Sequence, residues 1–224
     1  METRTARHDR SAALLIFVIL GLCGCDDGYT IHSIYQASPG PSPVPDVTGL
    51  WQSSKPGWHD SALQIVAQEY DVGHCRTADI RILDLRSSAE DKVIGDKICF
   101  VPIAGHMIME IRSTGTARLY QHFLVKIDQQ SITSCGSIWG HLLALRRQYP
   151  DRFSMDGLEY TIRSSPAADN ELIVVSPTDA LRNYLEVSVP KIASMCDEGV
   201  EEGPRWFSLK RLTPARVSEV SENR

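Results

Sequence analysis

The side chains that could bind a soft metal form one loose group in this 224-residue chain. Imidazole and thioether ligands suit copper, and the candidates are His74, Cys75, His106, Met107, Met109 and His122. In an extended segment successive side chains point to opposite faces, so Met107 and Met109 face away from His106. Methionine is also a common filler of hydrophobic cores. We therefore predict packing roles for these residues, with His122 a hydrogen-bonded or surface histidine, and no metal or other cofactor.

Motifs for nucleophilic, hydrolytic or nucleotide chemistry are absent from the sequence. Residues 136–140 (GSIWG) have glycine at both ends, but their serine is second rather than third, so they do not form a G-x-S-x-G nucleophile elbow. The chain has no HExxH zinc motif, phosphate-binding loop or dinucleotide fingerprint. We predict that the protein is not an enzyme and assign no catalytic residue.

The N-terminal cysteines have a more specific context. Arg4, Arg7 and Arg10 flank or precede an uncharged apolar run over residues 12–23. A membrane-spanning helix needs about 20 apolar residues, whereas the hydrophobic region of a signal peptide has roughly 7 to 15. The run is too short to span a bilayer, and we predict that residues 1–24 are a signal peptide.

The end of this run, Leu22-Cys23-Gly24-Cys25, resembles the bacterial lipobox, in which leucine and small residues precede an invariant cysteine. The resemblance implies cleavage after Gly24 and attachment of diacylglycerol to Cys25, with the lipid bilayer as the partner. Cys23 is the competing site, but the bulky Leu22 precedes it. An ordinary secretory signal followed by a structural cysteine is the alternative.

The residues after Cys25 suggest a location. Asp26 and Asp27 resemble the signal that retains lipoproteins in the inner membrane of enteric-type bacteria. We expect a lipid-anchored protein of the cell envelope that faces the periplasm, with the inner membrane favoured in a Gram-negative host of that type. The signal residues carry three arginines and two acids, so the mature chain has a net charge of about −6 against −5 for the full chain. This acidic balance argues against a nucleic acid partner.

Four cysteines remain in the predicted mature domain: Cys75, Cys99, Cys135 and Cys196. An even number of cysteines in an oxidising compartment favours disulfides, and no C-x-x-C redox pair is present. We predict at least one intramolecular disulfide. Three pairings are open, and buried free thiols are the alternative.

Proline spacing indicates how the chain is divided. Pro39, Pro41, Pro43 and Pro45 alternate with other residues, a pattern that favours an extended polyproline conformation. We predict that residues 25–46 comprise the lipidated cysteine and a tether that holds the domain off the membrane. The folded domain is then 47–214, and residues 215–224 are a polar tail.

Two-residue hydrophobic periodicity dominates this domain and predicts strands. The predicted strands are 62–70, 78–86, 92–101, 106–113, 119–128, 131–137, 158–163, 171–175 and 205–212. Helical periodicity predicts one helix over 138–148 and another that begins at Ser176-Pro177, with Ser176 as its cap and Pro190 as its end or kink. Short links favour antiparallel neighbours. The fold class is therefore mainly β, an antiparallel barrel of about 8–10 strands with two short helices.

The two ends of the domain carry a family resemblance. Gly49-Leu50-Trp51 and the basic residues Lys210 and Arg211 of the last strand resemble the lipocalin (calycin) pattern, in which G-x-W packs beneath a basic side chain. The resemblance implies that the first and last strands pair. Residues 101–145 and 171–185 are also similar to uncharacterised bacterial lipoproteins with a lipocalin-like barrel, a group without an activity to transfer.

These patterns lead to three functional hypotheses. The first is a membrane-anchored lipoprotein whose non-catalytic domain binds envelope proteins. The second is a carrier that holds a small apolar ligand inside the barrel. Soft-metal binding in the periplasm is the third. Large inward side chains would favour the first over the second.

Overall fold

The computed structural model describes residues 26–36, 46–53, 61–70, 75–84, 92–114, 118–151, 153–165, 168–199 and 206–213. Gly24 and Cys25, together with the rest of the predicted signal peptide, lie outside these ranges, as does most of the proline-rich segment. Among the described residues, no helix has the length and apolar character needed to cross a membrane.

Eleven strands and two helices occupy these ranges. The strands are β1 Asp26–Thr30, β2 Gly49–Ser53, β3 Ser61–Tyr70, β4 Cys75–Asp84, β5 Lys92–Ile103, β6 His106–Ser113, β7 Tyr120–Ile127, β8 Ser131–Ser137, β9 Tyr160–Ser165, β10 Ala168–Val174 and β11 Phe207–Arg211. The helices are α1 Ile138–Gln148 and α2 Thr178–Glu198. Every strand predicted between residues 62 and 212 is present.

Eight of the strands form a closed antiparallel barrel. Strands β2 to β8 pair in chain order, and β11 closes the barrel by pairing with both β8 and β2. In the closing pair, Arg211 lies opposite Trp51 and Leu209 opposite Ser53. Closure removes the open edges that a flat sheet would leave. The predicted mainly β barrel with two helices and paired terminal strands is confirmed.

Large apolar side chains fill the described part of the barrel interior. Trp51 and Phe100 are fully buried, and Phe123 is 1% exposed. The other members of this core include Leu63, Ile65, Ala78, Ile80, Ile82, Ile94, Ile98, Met109, Ile111, Val125, Ile132 and Leu209. Burying each large side chain contributes about 1.5 to 3 kcal/mol. This part of the barrel is a hydrophobic core.

A three-stranded unit lies on the outside of the barrel. β1 pairs in parallel with β10, and β10 pairs antiparallel with β9. Within the described residues, the Thr30–Tyr120 pair joins this unit to the barrel strand β7. Parallel neighbours need a long crossover, and here nearly the whole barrel separates β1 from β10 in the sequence.

The strand β1 corrects the predicted tether. Residues 26–36 are part of the folded domain, which therefore includes residues before the predicted start at Val47, and Ile34 is fully buried. The proline pattern indicated an extended chain, but β1 obtains its partner from a distant strand that local periodicity does not reveal. Residues 37–45 of the predicted tether lie outside the described residues.

Helix α1 matches its predicted bounds. The Ser137 side chain caps it by accepting a hydrogen bond from the Gly140 N–H at 3.3 Å. Arg146 and Arg147 lie in its last turn, where the negative end of the helix dipole favours cations.

Helix α2 departs from prediction at both expected boundaries. Pro177 is the N-cap residue, and the Ser176 hydroxyl instead accepts a hydrogen bond from the Glu159 N–H. The helix also continues through Pro190 to Glu198. Pro190 and Glu186, four residues earlier, both lie on the exposed face, where water can solvate the carbonyl that lost its donor.

A second hydrophobic core lies between the outer wall of the barrel, the three-stranded unit and the two helices. Its members include Ile34, Val101, Ile108, Leu124, Trp139, Leu142, Leu172, Leu181, Leu185, Val189 and Ile192. Both disulfides are buried here. Cys75–Cys99 joins directly opposed residues of β4 and β5, and Cys135–Cys196 joins β8 to α2. The expected disulfide bonding is confirmed.

We predict that Trp51→Ala lowers the free energy of unfolding by about 3 to 5 kcal/mol, because a fully buried ring is replaced by a cavity. Urea denaturation of the two proteins measures the difference. Val66→Ala on neighbouring strand β3 is the control, since Val66 is 41% exposed and its truncation should change stability by about 0.5 kcal/mol or less. Equal midpoints for Trp51→Ala and wild type would contradict the closed barrel.

Candidate functional site

The G-x-W segment lies on β2, which pairs with β11 where the barrel closes. The Trp51 indole N–H donates a hydrogen bond to the Val47 carbonyl at 2.8 Å, and the Arg211 guanidinium lies 4.7 Å from the centre of the indole ring system. Gly49 has φ of 141°, a conformation that favours glycine. Lys210, the other basic candidate, is exposed. These residues therefore have a structural role, with Arg211 making a cation–π contact.

A buried polar network is centred on Glu110, outside the barrel wall. Its carboxylate accepts hydrogen bonds from the Ser33 hydroxyl and from the Ile34 N–H at 2.7 Å. His122 Nε2 lies 3.0 Å from Glu110 Oε2, and the Trp139 indole N–H donates to His122 Nδ1 at 2.9 Å. Strands β6 and β7, helix α1 and the segment after β1 each supply a member.

The tryptophan sets the tautomer of His122. An indole N–H can only donate, so His122 Nδ1 must be the acceptor and carries no proton. Its Nε2 therefore carries the proton and donates to Glu110. This arrangement satisfies both ring nitrogens of a neutral imidazole.

Burial raises the pKa of the Glu110 carboxyl, but the hydrogen bonds from His122, Ser33 and the Ile34 N–H outweigh it. The pKa of Glu110 therefore lies below its usual value. The carboxylate is 1% exposed and His122 is fully buried. Glu110 is thus an ionised buried group whose charge the surrounding donors compensate, as a buried charge requires.

The members of this network are hydrogen-bonded to one another and closed to solvent. Both nitrogens of His122 are engaged, and neither the imidazole nor the carboxylate reaches solvent. The Ser33 hydroxyl donates to the carboxylate and accepts a hydrogen bond from the Tyr35 N–H at 3.0 Å. The network links four segments of the chain.

The soft-metal candidates do not converge. Met109 lies in the barrel core, whereas His122 lies outside the wall. Cys75 is in a disulfide, and His74 is outside the described residues. Among the residues that the structure describes, no three His, Cys, Asp or Glu side chains form a group that could hold a metal ion.

A groove lies between α2 and the loop that precedes β9. We call it the α2 groove. Its volume is about 590 Å³, and its lining includes Asp151, Phe153, Asp156, Tyr184, Val187 and Lys191. Val187 is 61% exposed, the most exposed of the large apolar residues in the described chain. One exposed apolar side chain in a largely polar groove, with carboxylates on the facing loop, suits a protein partner with apolar and basic side chains.

Tyr184 connects the α2 groove to the buried network. Its hydroxyl donates to the Ser154 carbonyl at 3.0 Å, and its ring stacks on Trp139 with centroids 6.1 Å apart. Burial raises the pKa of the Tyr184 phenol above its usual value. The phenol is therefore neutral at physiological pH and fixes the loop against the helix.

Sequence patterns revealed some of these residues and not others. His122 was expected to be a hydrogen-bonded or surface histidine, and it is hydrogen-bonded and buried. The roles of Glu110, Ser33 and Trp139 were not predicted. A signal existed for Glu110, because it is the one acid within the apolar stretch 107–111, which contains Met107, Ile108, Met109 and Ile111.

Comparisons with family models, curated proteins and solved structures give no match to this chain. The eight-stranded antiparallel barrel is shown by its strand order and closure, which are consistent with a lipocalin-like fold.

We predict that Glu110→Gln lowers the free energy of unfolding at pH 7 by about 1.5 to 3 kcal/mol, the usual contribution of a hydrogen bond to a charged group. The amide NH2 of the glutamine introduced in this variant would face the hydroxyl and N–H groups that donate to the carboxylate in the wild type. Urea unfolding followed by tryptophan fluorescence measures the loss.

The loss in free energy of unfolding caused by Glu110→Gln should depend on pH. Because the folded-state pKa of Glu110 is lowered, its stabilisation is full above the unfolded pKa near 4.3 and is lost as pH falls through the folded pKa. Wild type and Glu110→Gln should therefore converge in acid. Glu186→Gln is the control, because Glu186 is an exposed residue of α2. A deficit that stays constant from pH 7 to pH 3 contradicts the ionised network.

Proposed function

We propose that this protein is a membrane-anchored lipoprotein whose folded domain is a non-catalytic interaction module. The observation that carries the proposal is the packing of the barrel. Its described inward positions are occupied by large buried side chains such as Trp51, Phe100 and Phe123. Binding of a partner is therefore proposed to use the outer surface. The buried side chains of Glu110 and His122 are hydrogen-bonded within the Glu110 network.

The anchor rests on the sequence of the N-terminus. The segment Leu22-Cys23-Gly24-Cys25 follows an apolar run that is too short to span a bilayer. Acyl chains on Cys25 would bury enough methylene groups for stable attachment, since each contributes about 0.8 kcal/mol. The proposed location is the periplasmic face of the cell envelope, at the inner membrane if Asp26 and Asp27 are read by enteric-type sorting.

The α2 groove is the proposed contact surface. Val187 offers an exposed apolar side chain, and the carboxylates of Asp151 and Asp156 lie on the facing loop. The Tyr184 bond to Ser154 holds the two walls together, so the surface is pre-formed. Pre-formed surfaces lose less conformational entropy on binding. The proposed partner is an envelope protein with a segment that combines apolar and basic side chains.

Transport of a small apolar ligand is the competing function. It requires space inside the barrel, and lipocalin-like barrels often provide it. The described core argues against such space here, since Ile80, Ile98 and Met109 are all fully buried between opposite walls. Metal binding has even less support, because the candidate ligands lie on opposite sides of the wall.

We predict that growth with labelled palmitate labels the wild-type protein and leaves Cys25→Ser unlabelled, because only the thiol of Cys25 can form the thioether. Cys23→Ser is the matched control and should keep its label, since residue 23 lies before the cleavage site. Gel autoradiography of the immunoprecipitated proteins gives the readout. Label on Cys25→Ser would rule out the anchor.

We predict that Ala78→Leu lowers the free energy of unfolding by about 1 to 3 kcal/mol, because added methylene groups overpack a filled core. Ala78 is 1% exposed and belongs to the barrel core. Val66→Leu, at an exposed position on β3, is the control and should leave stability nearly unchanged. Urea denaturation is the measurement. An Ala78→Leu protein as stable as wild type would indicate open interior space and favour the carrier.

A further inference from the structure

The strand β1 begins at the residue that directly follows the proposed lipidated cysteine. Its five residues pair in parallel with β10, from Asp26 opposite Asn170 to Thr30 opposite Val174. The Ile31 N–H continues the pairing by donating to the Val174 carbonyl at 3.1 Å. Strand pairing is therefore present from Asp26, one peptide bond after Cys25.

The segment is packed tightly against the domain. A Cβ added to Gly28 would overlap with the Cβ of Trp139, so β1 lies in direct contact with α1 and needs glycine at this position. Thr30 is fully buried beside it. These contacts hold β1 in one position.

Hydrogen bonds fix the residues after β1 from two sides. Glu110 on the barrel accepts from Ser33 and from the Ile34 N–H. Helix α2 donates to the same segment, from the Thr178 hydroxyl to the Ser33 carbonyl at 2.7 Å and from Arg182 to the Ile34 carbonyl at 2.9 Å. The segment cannot lengthen into a tether without breaking these bonds.

The pairing also identifies which part of the domain lies next to Cys25. Asp27 is opposite Glu171, and Glu171 is opposite Arg163. Two strand spacings separate Asp27 from Arg163, which is about 10 Å. The start of β1 therefore lies beside the end of β9 and the beginning of β10.

We infer that this end of the three-stranded unit rests on the phospholipid headgroups and gives the domain a fixed orientation on the bilayer. The inference rests on the proposed lipid anchor. Consecutive Cα atoms are 3.8 Å apart, so acyl chains on Cys25 bring β1 and its neighbours to the membrane surface. Arg163 on β9 is exposed there, but Asp27 and Glu171 lie on the neighbouring strands, so the covalent anchor rather than charge attraction holds this end at the lipid.

The same orientation directs the α2 groove away from the lipid. β9 runs from Tyr160 to Ser165, a length of about 17 Å. The groove residues Gly157 and Leu158 precede its first residue, at the end opposite Arg163. The proposed contact surface thus faces partners in the periplasmic space.

Fluorescence quenching tests the orientation. The full lipidated protein is reconstituted in phosphatidylethanolamine and phosphatidylglycerol vesicles that contain a headgroup nitroxide lipid. A coumarin amino acid replaces Arg163, Thr161 or, in the groove, Asp156, so that the four disulfide-bonded cysteines are left intact. We expect quenching to fall in the order 163, 161, 156, with at least a twofold difference between the ends.

A linker variant is the matched control. Twenty Gly and Ser residues inserted between Cys25 and Asp26 release the domain, and the three positions should then be quenched equally. Equal quenching without the linker, in protein that floats with the vesicles, overturns the orientation and leaves the anchor intact. Protein that carries no acyl chain and does not float overturns the anchor and the orientation together.

Discussion

The buried carboxylate of Glu110 is the interaction on which the assembly of this domain depends. A charge removed from water must be compensated by hydrogen bonds, and the donors come from the barrel wall, helix α1 through His122, and the segment after β1. Apolar contacts alone would allow these parts to slide. The carboxylate fixes their register, so the barrel and the outer unit form one rigid body at this point.

Much of the barrel could be predicted from local pattern. Alternating residues on strands such as β6 and β7 specified which side chains face inward, and Trp51 with a basic residue near the C-terminus indicated how the ends meet. β1 could not be found in this way. It is short and includes Asp26, Asp27 and Gly28, and its partner β10 is more than 130 residues away. Pairing at that distance is set by tertiary structure, which periodicity does not describe.

The α2 groove was harder to predict from the sequence. Tyr184 lies at helical spacing from Leu181, as in an apolar stripe, and its ring stacks on Trp139, whereas Val187 is exposed. Pro190 was predicted to end or kink α2, and an end there would have removed the second half of the helix, including Cys196. The helix continues past Pro190 because Val189 and Ile192 bury its opposite face in the second core. The same packing places Cys196 of α2 beside Cys135 of β8, so that the two form a disulfide.

The pairing of β2 with β11 has a consequence for biogenesis. A chain is synthesised from its N-terminus, so β2 is available early, whereas β11 emerges after the other seven barrel strands. Until then β2 and β8 each present an unpaired edge, which is prone to association with other chains. The Cys135–Cys196 bond holds the end of α2 beside β8, which lowers the entropic cost of bringing the following strand β11 to that edge. Formation of this bond therefore favours closure of the barrel.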